Sequence, residues 1–505
     1  MPEKHTIRLE PLGKTLKTFP GTPLMDILHE YGIDFPCGGK GTCHNCKVRI
    51  IDGGLDTDSD AKRILQEKGL DPAWRLSCKS RVNQDVTLEI SRLETVILAD
   101  STPFSFKPAI GYGLAVDLGT TTIVIQLVNL SDGHVLDADT AINVQSRYGA
   151  DIMSRITYAL NPSGLEKLCR LIRDQLWELI QGIIKRHNIV PCKIVIVGNT
   201  VMHHLFSKID VSSLAYFPFE TSEGGKKLFK ASDLCWALPD ETDIIFMPSL
   251  GSFVGSDTLA GILATGIDKS KDLIALIDLG TNGEIVVGNR DLILAASTAA
   301  GPAFEGTHIS QGMRATTGAI SSVFLKDKKL EYHVIGNDLP RGICGSGIID
   351  AVSVFLKTGQ ISVTGQITSD ETDVLVTGSV KLTQKDIYEY MLAKAAIASG
   401  MYILLNIHGK LYADIKRVYI AGGFGYFITI SNAIASGLLE FPEEQIVKAG
   451  NTALIGAKML LFCEDKYEAD ILKKTRHISL ESNAEFQDIF MQKMMLKRSD
   501  SSEDV

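Results

Sequence analysis

The sequence predicts a small α+β domain followed by a larger α/β unit made of two similar lobes. Two observations support this organisation. Four cysteines with irregular spacing occur near the amino terminus, and a strand–turn–strand pattern built on Asp-x-Gly-Thr occurs twice in the rest of the chain. Each copy has apolar strands on both sides of a polar tip that contains glycine, which is typical of a β-hairpin.

Length and composition indicate a folded protein of several domains. The 505 residues allow roughly three domains, and the 45% apolar content supports real cores. The net charge of −9, without a basic run, argues against nucleic acid or an anionic membrane as a partner. No apolar stretch approaches the ~18–20 residues that span a bilayer. The first residues, Met-Pro-Glu-Lys-His-Thr, do not resemble a signal peptide, so we expect a cytoplasmic protein.

Four of the nine cysteines, Cys37, Cys43, Cys46 and Cys78, follow the spacing C-x5-C-x2-C-x31-C. An odd total in a chain of this kind argues against a disulfide framework. Zinc is one interpretation, but zinc sites usually pair two short Cys-x2–4-Cys units, and Cys78 has no such neighbour. The arrangement resembles that of [2Fe–2S] ferredoxins. In the plant type the first interval is one residue shorter than here. In the adrenodoxin type it has the same length as here. We predict that these cysteines bind [2Fe–2S], within a ferredoxin-like (β-grasp) domain at 1–94.

The repeated hairpins, at 115–127 and 276–287, have tips suited to phosphate. Glycine lets the backbone approach closely, and successive N–H groups and hydroxyls can point at one anion. An Asp beside those donors favours a divalent cation, because Mg²⁺ prefers carboxylate, water and phosphate oxygens. We therefore predict two homologous half-domains that hold one nucleotide together with Mg²⁺. Asp117 and Asp278 would bind the metal directly or through water. The residues predicted to contact phosphate are Gly119, Thr120, Thr121, Thr122, Gly280, Thr281, Asn282 and Gly283.

Three further glycine-rich loops follow in the second half of the chain, at 299–306, 342–347 and 418–425. Glycines before a helix can receive phosphate or the polar edge of a nucleotide. The residues predicted to flank adenosine are Gly345, Gly422, Gly423 and Phe424. Three carboxylates compete as the group that orients the attacking water, and the sequence does not choose between Asp278, Glu284 and Glu305.

Proline, glycine and helix-capping residues mark the predicted boundaries of the domains and helices. Proline and a lack of periodicity predict a linker at 95–112, between the first domain and the lobes at 113–270 and 271–497, with a polar tail at 498–505. Helix starts are predicted at Thr22, with Pro23 in the first turn, at Ser163, and at Thr383, with Gly409 ending the third helix.

The order of the two Asp-x-Gly-Thr motifs and the later Ala421-Gly-Gly-Phe-Gly resembles the acetate kinase, sugar kinase, heat-shock chaperone and actin superfamily, whose two α/β lobes close on ATP and Mg²⁺. Within it, the chain is similar to the reductive activators of corrinoid proteins, which join an amino-terminal [2Fe–2S] domain to such an ATPase. The stretches that carry this likeness are 148–155, 197–205, 297–306, 342–347 and 392–397. The 18-residue linker is shorter than the linker domain of characterised members.

This resemblance implies an ATP-dependent activator for a corrinoid-dependent methyltransferase system. A corrinoid methyl carrier works as Co(I) and is occasionally oxidised to inactive Co(II), and the activator returns one electron through its cluster. The implied partners are a corrinoid protein and a low-potential electron donor, with no nucleic acid and no membrane. A homodimer is compatible with the short linker, which does not decide the oligomeric state.

Three other functions are compatible with parts of the chain. One is a small-molecule kinase with a fused ferredoxin domain. Another is a nucleotide-gated electron-transfer protein whose ATPase lobes are inactive. The third is an activator of radical-type dehydratases, but those hold a bridging [4Fe–4S] cluster and lack a ferredoxin-like domain, so the cysteines from Cys37 to Cys78 argue against it.

Overall fold

The computed structural model describes residues 4–496, apart from 11–13, 29–45, 68–70, 90–105, 222, 281, 301–302, 305, 307, 316–317, 336–338, 423–427 and 464–466. Six predicted site residues therefore lie outside the described residues: Cys37, Cys43, Thr281, Glu305, Gly423 and Phe424.

The first unit is a mixed sheet with the strand order β2-β1-β8-β4-β6. Strand β1 pairs antiparallel with β2, as the predicted hairpin requires, and parallel with β8. The first helix begins at Leu24 rather than Thr22, because Thr22 and Pro23 pair with a strand at Val82. The elements are β1 (His5–Glu10), β2 (Lys14–Thr18), β3 (Thr22–Pro23), α1 (Leu24–Leu28), β4 (Lys47–Gly53), β5 (Asp56–Thr57), α2 (Ser59–Glu67), β6 (Trp74–Leu76), β7 (Ser80–Val82) and β8 (Val86–Glu89).

The second unit is a lobe with a six-stranded sheet in the order β11-β10-β9-β12-β14-β13. Strands β9 and β10 form the first predicted hairpin, and β12 runs parallel to β9. The elements are β9 (Tyr112–Leu118), β10 (Thr122–Asn129), β11 (Val135–Ile142), α3 (Ile152–Ala159), α4 (Gly164–His187), β12 (Lys193–Val197), α5 (Thr200–Ser207), α6 (Ser212–Ala215), β13 (Lys227–Phe229), β14 (Asp243–Phe246) and α7 (Ser256–Thr265).

The third unit is a lobe with a sheet of the same design, in the order β24-β23-β15-β16-β17-β25. Strands β15 and β16 form the second predicted hairpin, and β23 runs parallel to β15. The elements are β15 (Leu273–Leu279), β16 (Gly283–Gly288), β17 (Ile293–Thr298), β18 (Ala319–Lys326), β19 (Lys329–Val334), β20 (Gly342–Ile343), α8 (Gly345–Thr358), β21 (Asp373–Thr377), β22 (Val380–Thr383), α9 (Gln384–His408), β23 (Ile415–Ala421), α10 (Ile430–Ala435), β24 (Ile446–Gly450), α11 (Thr452–Leu460), α12 (Tyr467–Lys474), β25 (Thr475–His477) and α13 (Phe486–Lys493).

Helices α7 and α11 pack against each other between the two sheets. One apolar core contains residues of both sheets and both helices, including Val195, Leu276 and Leu454. The helices approach so closely that a Cβ atom on Gly456 would lie 2.1 Å from the carbonyl oxygen of Ala260. This helix pair is therefore the joint through which the lobes contact each other.

The structure agrees to different degrees with the helix starts predicted at Thr383 and Ser163. Thr383 forms a capping box with Asp386, and Gly409 ends α9 in the left-handed conformation, as predicted. The helix start predicted at Ser163 is confirmed, because Ser163 is the N-cap residue of α4, but the predicted capping bond is wrong, since Ser163 has φ of 62° and its side chain makes no such bond. A tight turn from α3 imposes this geometry: the amide of Gly164 donates to the carbonyl of Asn161, and a Cβ on Gly164 would meet the carbonyl oxygen of Tyr158 at 2.1 Å.

One described helix, α9, is long and apolar enough to cross a bilayer when judged by length and composition. However, 78% of its most apolar window is buried inside the protein. Helix α9 packs on β16 and β17 with one apolar core around it, as the central helix of a globular lobe does.

The packing of α7 on α11 predicts that Gly456→Ala destabilises the ATPase lobes. A methyl group at position 456 would collide with the backbone of Ala260, which cannot move aside as a flexible side chain could. We therefore expect the free energy of unfolding to fall by about 1–3 kcal/mol, despite the better helix propensity of alanine. Scanning calorimetry measures the effect. The control is Gly378→Ala, where no atom lies within 4 Å of the added carbon. Equal transition temperatures for the two variants would contradict the packing described here.

Candidate nucleotide and cluster sites

The tip of the first hairpin is a tight turn at 119–122. Leu118 pairs with Ile123 across the strands, and the amide of Gly119 donates to the carbonyl oxygen of Thr122 at 3.1 Å. A Cβ atom at position 119 would lie 2.5 Å from that oxygen, so the turn requires glycine. The backbone of the predicted phosphate loop is therefore fixed by the turn itself.

Side chains from the polar stretch after β11 hold the same tip. Asn143 donates to the carbonyl oxygen of Gly119 at 2.9 Å. The guanidinium of Arg155, which is completely buried, donates to the carbonyl oxygen of Thr120 at 2.5 Å and to that of Gly149 at 2.9 Å. These bonds occupy the carbonyl oxygens of Gly119 and Thr120 and hold the backbone of the turn in place.

The sequence Gly-Asn-Thr occurs once in each lobe, and both copies contact the first hairpin. Asn199 caps α5 by accepting from the amide of Met202 at 3.0 Å, while its own amide group donates to the Thr120 hydroxyl at 2.7 Å. Asn451 caps α11 in the same way, accepting from Leu454 at 2.8 Å, and donates to the carboxylate of Asp117 at 2.8 Å. The bond from Asn451 crosses from the second lobe to the first. Neither asparagine was among the predicted site residues, although the repeated tripeptide before an apolar helix was a visible signal.

The second hairpin places two acids opposite each other. Asp278 at the end of β15 pairs with Glu284 on β16, and on its other side with Ala421 of the parallel strand β23. Gly422 comes next, with φ of 89°, and a Cβ atom there would lie 2.5 Å from the Asp278 carboxylate. Only glycine fits at position 422, because any side chain there would collide with the Asp278 carboxylate.

A fourth acid, which sequence reasoning also missed, joins this group. Asp257 lies in the first turn of α7, and Ser256 holds that helix to the end of β12 through bonds with both the amide and the carbonyl of Gly198, each 3.1 Å long. The charge of Asp257 acts on Asp117, Asp278 and Glu284. The pattern Gly-Ser-Asp before an apolar helix was the available signal.

Burial makes these four carboxylates hard to ionise. Loss of water raises the pKa of Asp117 to about 7, while the bond from Asn451 lowers it and the charge of Asp257 raises it. Loss of water and the charges of Asp257 and Asp117 raise the pKa of Asp278 to about 7. Burial raises the pKa of Asp257 to about 6, and burial with the neighbouring acids holds the pKa of Glu284 well above its usual range. A cation in this cleft would relieve the repulsion.

The acids do not form a closed metal site by themselves. Among the described residues, no group of three or more His, Cys, Asp or Glu side chains is arranged to hold a metal ion. This fits Mg²⁺, which keeps several waters and is usually bound by one or two carboxylates together with the phosphates of its ligand. The described residues therefore suit Mg·ATP better than a bare cation.

Gly345 is buried and begins α8, a helix of 14 residues that follows β20. It lies in the second lobe, as does Gly422. The described contacts do not join these two residues, so their shared role at adenosine stays a prediction.

Two of the four predicted cluster cysteines are described, and the chain brings their segments together. The carbonyl oxygen of Cys46 accepts both from the amide and from the hydroxyl of Ser77, at 2.9 Å each, and Ser77 directly precedes Cys78. Cys46 is buried and Cys78 is half-buried. Thiols supplied by two adjacent segments suit a cluster with three-plus-one spacing, so the residues present fit the predicted [2Fe–2S] group.

The fold and these sites define a two-lobed ATPase with a ferredoxin-type domain at its amino terminus. Comparisons with known families agree with that class. Residues 7–83 match the 2Fe-2S iron-sulfur cluster binding domain, residues 112–270 match the RACo middle region, and residues 272–504 match the C-terminal domain of RACo, the ASKHA domain.

Individual relatives narrow the class. The chain is 36% identical over 433 residues to the corrinoid activation enzyme RamQ of Eubacterium limosum, covering 79% of this chain and 72% of the relative. It is 25% identical over 419 residues to the [Co(II) methylated amine-specific corrinoid protein] reductase of Methanosarcina barkeri, covering 75% and 76%. The solved structure of a reductive activator for a corrinoid, iron-sulfur protein matches with a TM-score of 0.68 and 28% identity, covering 98% of this chain and 99% of that one. The chain belongs to the family of reductive activators of corrinoid proteins.

The bond between Asn451 and Asp117 predicts a shift in the pH dependence of Mg·ATP binding. Asn451→Ser keeps a good helix cap but removes the donor that lowers the pKa of Asp117, so this pKa rises above about 7. Because the metal needs the ionised carboxylate, we expect weaker Mg·ATP binding at pH 7 and recovery at higher pH. Isothermal titration at several pH values should show the midpoint raised by about one unit.

Asn199→Ser is the matched control for this experiment. It changes the same kind of cap in the other lobe, but its partner is the Thr120 hydroxyl, which does not titrate in this range. The midpoint should stay at the wild-type value. An equal shift in both variants would mean that the caps affect the site through folding rather than through Asp117.

Proposed function

We propose that this chain uses ATP to return a corrinoid protein from inactive Co(II) to active Co(I), serving a corrinoid-dependent methyltransferase system. The observation that carries the proposal is the union of two sites in one molecule. A cysteine pair of ferredoxin type lies in the first domain, and four desolvated acids, of which Glu284 is buried and the other three are half-buried, come together from the two lobes of the second.

In this proposal Cys37, Cys43, Cys46 and Cys78 hold the cluster, which supplies one electron when bound. That electron would reduce Co(II) to Co(I), and a low-potential donor would supply the next one. Two bonds from Ser77 to the carbonyl oxygen of Cys46 hold the segments of Cys46 and Cys78 together.

The nucleotide would lie between the hairpins. Glycines, hydroxyls and amides at the tips would receive the phosphates, and Asp117 and Asp278 would hold Mg²⁺ directly or through water. Gly345, Gly422, Gly423 and Phe424 would flank adenosine. Asp278 and Glu284 are the described candidates for orienting the attacking water, because they face each other across β15 and β16. Glu305 remains a third candidate from the sequence. Phosphoryl transfer depends more on position and charge than on a strong base.

ATP is needed because the electron transfer is uphill. Plant-type [2Fe–2S] clusters have potentials near roughly −400 mV, and reduction of Co(II) lies lower. For one electron, each ~59 mV is a factor of ten in the equilibrium constant. Only a difference in how the protein binds its two states can shift such an equilibrium. We propose that closure of the lobes on ATP supplies that difference by changing the affinity for the corrinoid protein. The cytoplasm is the expected location.

The proposal predicts Co(I) formation by the reduced, cluster-loaded protein when ATP and a Co(II) corrinoid protein are mixed anaerobically. Absorption spectroscopy follows the cobalt, and phosphate release is measured in the same sample. Asp278→Asn should abolish ATP turnover and Co(I) formation while the cluster spectrum stays intact. Failure to form Co(I) with an authentic partner would refute the proposal. A phosphorylated small molecule in proportion to ATP consumed would instead support a kinase.

The assignment of the cluster predicts that Cys43→Ala removes the visible iron–sulfur absorption of the purified protein, because one of four thiolate ligands is lost. Iron and sulfide analysis accompanies the spectrum. Cys169→Ala is the control, since this buried thiol on α4 lies in the first lobe and donates to the carbonyl oxygen of Phe206. A wild-type protein that contains zinc and lacks visible absorption would contradict the assignment.

A further inference from the structure

The first domain contacts the second lobe through a charged pair. The guanidinium of Arg341 donates to one carboxylate oxygen of Glu89 at 2.8 Å, and the two side chains are only 22% and 25% exposed. Glu89 is the last residue of β8, in the cluster domain, and Arg341 directly precedes β20, in the second lobe. The other carboxylate oxygen faces the guanidinium of Arg49 at 3.6 Å. Glu89 therefore joins one arginine of its own domain to one of the ATPase.

On the cluster side, the path from this pair to a cluster ligand is short and rigid. Arg49 pairs with Glu89 across β4 and β8, and β4 begins directly after Cys46. Arg49 is three residue steps along the chain from Cys46, which in an extended strand is roughly 10 Å. A movement of Glu89 relative to the second lobe is therefore also a movement of the cluster ligands.

On the ATPase side, the path leads to the loop predicted to flank adenosine. The amide of Arg341 donates to the carbonyl of Gly318 at 2.8 Å, and the Arg341 side chain passes so close to Gly318 that a Cβ there would lie 2.9 Å from it. After Arg341, Gly342 and Ile343 pair with β18, and α8 begins at Gly345. The backbone of Arg341 is thus fixed to the same strand and helix that carry Gly345.

We propose that the Glu89–Arg341 ion pair is a positioning contact that links the cluster domain to the nucleotide-binding loop. This deepens the proposed function and rests on it for the nucleotide at Gly345. A ligand that moves the 342–347 loop changes the geometry of Arg341, and Glu89 transmits the change to the cluster domain. Because such coupling is reciprocal, breaking the ion pair also changes nucleotide affinity. Neither residue touches the reacting groups.

A double-mutant cycle on the cluster-loaded protein tests the contact. Glu89→Ala and Arg341→Met are measured singly and together, with the dissociation constant of Mg·AMP-PNP as readout. Each single variant should change this constant by about two- to fivefold, the range expected for a partly exposed pair, and the double variant should change it no further. Arg49→Ala is the matched control, since it removes the neighbouring arginine within the domain and leaves the Glu89–Arg341 pair intact.

Hydrogen–deuterium exchange gives a second measurement that a merely structural role would not change. In the wild type, exchange of the amides in β8 should differ with and without Mg·AMP-PNP, and this difference should be absent in Glu89→Ala and present in Arg49→Ala. An unchanged cluster spectrum shows that each variant is folded. Additive effects in the cycle, or a nucleotide response of β8 that survives in Glu89→Ala, would overturn the proposal. Neither measurement uses a corrinoid protein, so its outcome is separate from the Co(I) experiment.

Discussion

The cleft between the lobes depends on the cost of ionising buried carboxylates. Four different segments supply these acids, which are Asp117, Asp257, Asp278 and Glu284. Loss of water is the largest cause of the raised pKa of each one. Negative charges held together in this way repel each other, and a divalent cation relieves that repulsion. A preference for Mg·ATP is what this arrangement of acids predicts.

The lobes are also joined by a repeated local device. In each, the tripeptide Gly-Asn-Thr ends a strand and caps a helix, and the asparagine amide reaches the first hairpin. One asparagine belongs to the same lobe as the hairpin, and the other belongs to the opposite lobe. Helix α11, which begins after Asn451, also packs on α7, which carries Asp257. The helix pair that joins the lobes is therefore directly connected to Asp117 and Asp257, the first of which is predicted to bind Mg²⁺.

This connection gives a physical account of how a nucleotide can serve electron transfer without donating electrons. The cluster domain is bound to the second lobe by Glu89 and Arg341, and Arg341 belongs to the same rigid segment as Gly345. Binding energy at the cleft can therefore alter the placement of the cluster domain. The fused chain needs no separate docking step between the ATPase and its electron carrier, because both are parts of one molecule.

The sequence alone determined the class of the fold and the type of each site. The two hairpins were predictable because apolar strands around Asp-x-Gly-Thr leave few alternatives, and the structure confirms both. The cap at Thr383 was predictable because its partner Asp386 lies within one helical turn. The absence of a capping bond at Ser163 was not, since the turn from α3 overrides the local preference. Only the tertiary structure brought in Asp257, Asn199 and Asn451, and only it paired Glu89 with Arg341. These residues act across gaps of many tens of residues in the chain, and no local pattern encodes which distant groups share a desolvated cleft or a salt bridge.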